Sequence, residues 1–371
     1  PYQSEIAKEP REIRTIGTRV LISMGGSDLE NLTPDVVRQL CNSGVELMVE
    51  RSLQRTIDDA SYEDTGCTLV ESGTWCGAPG HAYILGLKEL PEEDTPLSHR
   101  HIYFGHAYKN QHGWRELLAR FSRGGGELLD LEYLLDENGR RIAAFGFWAG
   151  FTGCAVGIKT WIGHQLGSEP VISTLEPYSG KDSLLEELRL DLASAINVAG
   201  HSPTTIIIGA KGRVGAGANQ LAQALGLEVT LWDMEETARG GPFSEILEHD
   251  IFINCVLVQK KIPPFLTMES LSDVKRRLSM ITDVSCDPGE CNPIPVYTEA
   301  TSFSAPVVNV VDAEHPLYLC AIDHLPSLLP VESSEDFARQ LLPHLLTLND
   351  DMVGVWQHAR QLFHEKSSNP H

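Results

Sequence analysis

The chain is short of positive charge. Against 51 Asp and Glu there are only 29 Lys and Arg, a formal net charge of −22 at pH 7. That balance argues against nucleic acid or an anionic membrane as a partner. No apolar run reaches the length a membrane helix needs, and the N-terminus lacks the pattern of a signal peptide, so a cytoplasmic protein is expected. The eight cysteines lie mostly in apolar or strand-like runs, as reduced core thiols of an intracellular protein do. Cys286 and Cys291 form the nearest approach to a metal motif, but no second pair accompanies them. No metal is expected, and no internal repeat is evident. What remains is a small-molecule protein, expected as a monomer or small homo-oligomer.

A chain of 371 residues with 42% hydrophobic content is globular and long enough for two domains. The most informative stretch is Thr204 to Asp233. An apolar run, Ile206 to Ile208, meets glycines at Gly209, Gly212 and Gly215. Leu221, Ala222, Ala224 and Leu225 then recur at helical spacing, and a second apolar run, Val229 to Trp232, ends at Asp233. Strand, glycine turn, helix, strand and acid in that order form the dinucleotide-binding βαβ unit. Glycines permit the tight turn and the close approach of backbone to a pyrophosphate, and the helix N-terminus offers N–H groups to the phosphates. An acid about 20 residues past the first glycine bonds the adenosine ribose and repels a 2′-phosphate. The cofactor expected is NAD. The residues expected to hold it are Gly209, Lys211, Gly212, Arg213, Val214, Gly215 and Asp233, with Cys255 and Asp283 on the two strands that follow.

Elsewhere the chain alternates in the same way. Val20 to Ile22 reads as a strand. Thr33 and Pro34 read as N-cap and first residue of a helix closed by Gly44. Strands are expected at Val45 to Val49, Ala82 to Leu87, Ile102 to Phe104 and Leu128 to Leu134, with a helix over Gln111 to Phe121 and a glycine turn at 124–126. Phe145 to Gly167, poor in charge and rich in small residues, reads as a long buried helix, either crossing between domains or lying in one core. A charged helix is expected around Asp182 to Ala195, strands at Ile251 to Cys255 and Met280 to Val284, and a helical tail over Ser334 to Phe363.

Several clusters outside the cofactor unit carry chemistry. Lys88 and Glu89 end an apolar strand; Lys88 is a general base if burial lowers its pKa, or a solvated lysine beside its glutamate. In His101 to Lys109, His106 and Lys109 lie past a strand end, where a histidine can move protons near neutral pH or rest at the surface. Asp130 and Glu132 face Arg140 and Arg141, which read either as a carboxylate-binding group or as surface ion pairs. Asp323 and His324 end a strand before a proline-limited turn.

These stretches carry a resemblance. GLKELP at 86–91, HIYFGHAYK at 101–109, DLEYL at 130–134, GRRIAAFGFWAGF at 139–151, GAKGRVGAG, WDMEETARGGPF, INCVLVQKKIPPF, ITDVSCDP and IDHLPSLLP appear in order. As a set they resemble the NAD-dependent, lysine-forming saccharopine dehydrogenases of the fungal lysine pathway and, more distantly, the alanine dehydrogenases. The likeness runs from about Leu32 to Phe363. It implies oxidation of the secondary amine joining lysine to glutarate, hydride passing to NAD, then hydrolysis to lysine and 2-oxoglutarate. By motif, Lys88 takes the amine proton and His106 serves water addition and carbinolamine collapse. Glu89 and Glu132 tune their pKa values, Arg141 and Lys109 belong to the substrate site, and Asp323 lies near the reacting centre.

One departure stands out. Where the family has lysine, glutamate and arginine before its LTP motif, this chain has Met24, Ser27 and Leu29. Two charge-assisted contacts at about 1.5–3 kcal/mol each would cost several orders of magnitude in affinity. Val214 also replaces a cysteine that in some relatives pairs with the counterpart of Cys255. The reading favoured on the sequence is therefore an NAD(H)-dependent oxidoreductase acting on a secondary amine or imine with an altered amino-acid-type substrate. Authentic saccharopine dehydrogenase is the second reading and a catalytically silent NAD-binding protein the third. The expected architecture is α/β, two Rossmann-like doubly wound domains with an interdomain active-site cleft. A substrate domain of residues 1–145 plus 330–371 would accompany an NAD domain of residues 146–329.

Overall fold

The computed structural model describes residues 19–22, 32–87, 90, 93–109, 112–258, 260–273, 275–311, 314–348 and 354–368. The chain divides into two compact units, Pro1–Ile142 with Leu341–His371, and Ala143–Gln340. Among the described residues no helix is long and apolar enough to cross a membrane.

The first unit holds β1 (Arg19–Ile22), α1 (Pro34–Asn42), β2 (Glu46–Glu50), β3 (Thr68–Val70), β4 (Tyr83–Leu85), β5 (Arg100–Tyr103), α2 (Trp114–Gly124) and β6 (Glu127–Asp130). Its sheet is parallel throughout, in the order β3-β2-β1-β4-β5-β6. The chain winds outward from β1 in one direction and from β4 in the other. That reversal is the point at which open α/β sheets bind ligands, beyond the carboxyl ends of their strands. Thr33 takes the N-cap position of α1 with extended backbone, but its hydroxyl makes no capping bond; Pro34 sets the first turn instead. The stretch expected as a strand to Leu134 stops at Asp130. The Asp130 side chain accepts the amide of Glu132 and begins a 3-10 turn over Leu131–Tyr133. Local capping here overrides an apolar pattern.

The second unit opens with α3 (Gly146–Gln165) and α4 (Lys181–Ala199), followed by β7 (Thr204–Ile208), α5 (Arg213–Ala224), β8 (Glu228–Trp232), α6 (Met234–Thr237) and α7 (Ser244–Leu247). β9 (Ile251–Asn254), β10 (Met280–Asp283), β11 (Val308–Val311), β12 (Leu317–Cys320) and the start of α8 (Pro330–Leu345) complete it. The sheet order is β11-β12-β10-β9-β7-β8, parallel except for β11. Successive side chains of a strand point to opposite faces. Ile206 and Ile208 accordingly pack with Phe243 and Phe252, whereas Ile207 packs with Phe151 and Leu221 under the helices. α3, with most of its length buried, is the core helix of this unit.

In the first unit α9 (Gly354–Ser368) lies on β6, fixed by a half-buried carboxylate. Glu127 accepts from Arg360 at 2.9 and 3.0 Å, from Arg100 at 3.2 Å and faces His364 Nε2 at 3.1 Å. Burial works against its charge, yet Arg360, Arg100 and His364 hold it below the usual carboxylate range. A depressed folded pKa gives stability that is present above the unfolded value near 4.3 and lost as pH falls through the folded one. Glu127→Gln should lower the melting temperature at pH 7 by several degrees, from a loss of about 1–2 kcal/mol. The gap to wild type should narrow progressively as pH falls below about 4. Thermal unfolding at pH 7 and pH 3.5 checks this; a gap of the same size at both pH values would refute the charge argument.

Candidate active site

Two sets of expected residues are brought together, one in each unit. In the first, the carboxyl ends of β5 and β6 carry the groups. Tyr103 of β5 is the register partner of Asp130 of β6, so both chains leave the sheet at one level. His106 follows β5 with φ of +48°, a left-handed conformation that a non-glycine residue seldom adopts. Its Nδ1 lies 3.6 Å from Glu132 Oε2, while Lys109 Nζ donates to Glu132 Oε1 at 2.5 Å. Glu132 is held down to about 2 by His106 and Lys109, with Arg141 adding to them against the cost of burial. It therefore stays an anion at every working pH, 3.6 Å from the His106 ring. His106 also lines a cavity of about 920 Å³ together with Tyr103, His112, Trp114 and Arg120. Arg141 is exposed and bridges to Leu135 across the turn that follows Glu132. Lys88 and Glu89 lie outside the described residues, as do Met24, Ser27 and Leu29.

Tyr108, Tyr133 and Asp130 join this cluster, although no role for the two tyrosines follows from the sequence. Burial, then the Asp130 charge, pushes the Tyr108 hydroxyl far above its ordinary value. Tyr133 rises to about 12 through burial and the same two carboxylates. Both hydroxyls stay protonated. The only sequence signal for them was their place on either side of the charged residues.

In the second unit the glycine turn joins β7 to α5. Gly209 has φ of +89°, and a Cβ there would lie 2.7 Å from Val256 and 3.0 Å from the Cys255 carbonyl. A Cβ on Gly215 would lie 2.3 Å from the Gly209 carbonyl. The turn is thus as tight as a main chain allows, and α5 begins at Arg213 with Gly212 as a side-chain-free N-cap. Amides of a first helical turn have no partner within the helix, so those of Arg213, Val214 and Gly215 face the turn's mouth. Asp233, at the end of β8, accepts the Lys211 amide at 2.8 Å and the Met234 amide at 2.9 Å, and these hold its carboxyl low. The residues present fit a dinucleotide: a cradle that any side chain would fill, a helix start and a fixed carboxylate.

Cys255 meets this turn through its carbonyl, at the switch point between β7 and β9. Asp283 is different. It is fully buried, and its carboxylate accepts from Tyr297 at 2.7 Å, Asn254 at 3.0 Å and Ser285 at 2.6 Å. Its oxygens are spent on fixing the ends of β9 and β10. Asp323 is exposed past β12, and its charge acts on Cys286, whose thiol burial pushes up to about 12. All eight cysteines are free thiols; Cys154 and Cys320 are buried, but Cys76 is exposed, against the expectation of core positions.

Comparison with known proteins decides the family. Saccharopine dehydrogenase [NAD(+), L-lysine-forming] of Yarrowia lipolytica is 48% identical over 339 residues, 90% of this chain and 92% of that one. The proteins of the same name from Emericella nidulans and Neurospora crassa are 49% and 47% identical, each over 90% of this chain and 92% of theirs. The chain belongs to the lysine-forming saccharopine dehydrogenase family. The family descriptions "Alanine dehydrogenase/PNT, N-terminal domain" and "C-terminal domain" match residues 30–152 and 243–365, so the glycine turn of this saccharopine dehydrogenase family member falls between them. Among solved structures it is similar to an L-alanine dehydrogenase, with a TM-score of 0.62 at 17% identity over 94% of each chain. A transhydrogenase from Sinorhizobium meliloti follows at 0.51 and 16%, covering 90% of this chain and 95% of that one. Both establish the Rossmann-like α/β fold of the family member.

Proposed function

We propose that this protein is a saccharopine dehydrogenase that oxidises the secondary amine of saccharopine and releases lysine and 2-oxoglutarate. The observation that carries this reading is the 44–49% identity to six fungal proteins of that name, over about nine-tenths of the chain. It outweighs Met24, Ser27 and Leu29, on which the altered-substrate reading rested. The enzyme is an NAD-dependent oxidoreductase acting on CH–NH bonds; bound NAD supplies the hydride acceptor.

The chain's own residues do the rest. Lys88 takes the proton of the substrate amine as the C–H bond breaks, which leaves an imine. His106, as base, deprotonates the water that adds to the imine carbon and, as acid, protonates the nitrogen when the carbinolamine collapses. Glu132 keeps His106 basic enough to cycle between the two forms, with Lys109 fixing that carboxylate from its other oxygen. Arg141 takes a substrate carboxylate. In the second unit the glycine turn and the start of α5 receive the pyrophosphate, and Asp233 receives the adenosine ribose.

The test is NADH absorbance with purified protein, NAD and saccharopine, and the reverse mixture of lysine, 2-oxoglutarate and NADH. Turnover of both at rates ordinary for a dehydrogenase is expected, roughly 1–1000 s⁻¹. No turnover with intact NADH binding would return the altered-substrate reading. Asp233→Asn keeps an oxygen for the Lys211 amide but removes the charge. It should raise the KM for NAD by about tenfold or more and make NADP usable. Unchanged KM values for both cofactors would remove Asp233 from the ribose site.

A further inference from the structure

Asp130 stands where the two catalytic stretches of the first unit leave the sheet. It is 1% exposed, and its Oδ1 accepts the amide of Glu132 at 2.9 Å. The amide of Gly105, the residue before His106, acts on the same carboxylate. Residue 105 is glycine for a steric reason: a Cβ there would lie 2.7 Å from Leu128 Cδ2 and 3.4 Å from Asp130 Oδ2. One buried carboxylate therefore holds the Glu132 turn through Oδ1, while its Oδ2, without a hydrogen-bond partner, lies against residue 105, next to His106.

We propose that Asp130 is a positioning residue, which ties the His106 loop to the Glu132 turn and whose negative charge, set behind His106, raises the basicity of that imidazole. The inference rests on the reading of His106 as the proton-transfer group.

Geometry places the charge, and the surroundings show what it costs. Burial pushes the Asp130 carboxyl up to about 6; the Glu132 and Gly105 amides oppose this, Glu132 adds to it and His106 opposes it. Tyr108 and Tyr133 face the same carboxylate, while Lys109 and Arg141 act on Glu132 beside it. A carboxyl raised above its unfolded value of about 3.9 costs no stability below that pH. The cost grows as pH rises and is complete above the folded value near 6. At neutral pH Asp130 is therefore an ionised group retained against stability, which a residue serving the fold alone would not be.

The experiment is Asp130→Asn in the full chain, read by NMR of selectively labelled histidine rings, with the His106 signal identified by its loss in His106→Asn. The His106 titration midpoint should fall by about half to one pH unit when the nearby anion is removed. The melting temperature at pH 7.5 should hold or rise, and kcat with saccharopine should fall about tenfold with the KM for NAD unchanged. Should the asparagine variant not fold, Asp130→Ser also removes the charge and leaves a hydroxyl to accept the Glu132 amide. An unmoved His106 midpoint in a folded variant overturns the proposal, and a lowered melting temperature with it marks Asp130 as a turn cap only. The midpoint is read without substrate, so a wild type inactive on saccharopine would refute the functional reading and leave this test standing.

Discussion

His106→Asn should reduce kcat/KM for saccharopine by roughly a hundredfold to ten-thousandfold, the span a positioned acid–base group supplies. Asparagine is the replacement of choice because residue 106 has φ of +48°. Asparagine tolerates that left-handed conformation far better than other side chains, so the loop keeps its path and only the proton-transfer group is lost. The partners left behind also matter. Glu132 keeps Lys109 as its ion pair and remains ionised, so no charge is left stranded by the substitution. NADH binding, read by fluorescence, should not change, because Gly209, Gly215 and Asp233 belong to the other unit. Saccharopine turnover in this variant within about threefold of wild type would show that His106 moves no proton in the slow step.

What the sequence disclosed, and what it hid, follow one physical line. The glycine turn was legible because each of its demands is local. Gly209 must take positive φ, Gly215 must let the Gly209 carbonyl approach, and an acid must follow the next strand; all fall within Thr204 to Asp233. His106 was legible as a residue past a strand end and the family resemblance linked Glu132 to it, but the geometry of that link, set by register between β5 and β6, was not. The end of β6 was misplaced because the apolar spacing of Leu128, Leu131 and Leu134 suits a strand, and the cap formed by Asp130 decides otherwise. Asp283, expected among the cofactor residues, is fully buried in the structure. Its partners Asn254 and Tyr297 lie on other segments, and no pattern near residue 283 announces that its oxygens face inward. The small residues of α3 read as a long buried helix, either crossing between domains or lying in one core. Their meaning depends on a partner helix that sequence does not name.

That partner is α5, and their contact sets a large stability effect. A Cβ on Gly217 of α5 would lie 1.8 Å from the Phe147 carbonyl of α3, and a Cβ on Gly150 of α3 would lie 1.8 Å from the Val214 carbonyl of α5. Each helix presses a glycine onto the other's backbone. Backbone cannot swing aside as a flexible side chain does, so a larger residue must drive the helices apart along their length. Gly217→Val should cost at least about 4–5 kcal/mol, the range reached only by severe core damage. Against a usual domain stability of about 5–15 kcal/mol, this leaves the second unit marginal or unfolded. NADH binding should go with it, because α5 begins at the cofactor turn. Gln223→Val, exposed on the same helix, introduces the same β-branched side chain without the contact and should cost less than about 1 kcal/mol. Thermal unfolding and NADH fluorescence on the two variants test this: equal melting temperatures would mean that the α3–α5 contact does not govern this unit.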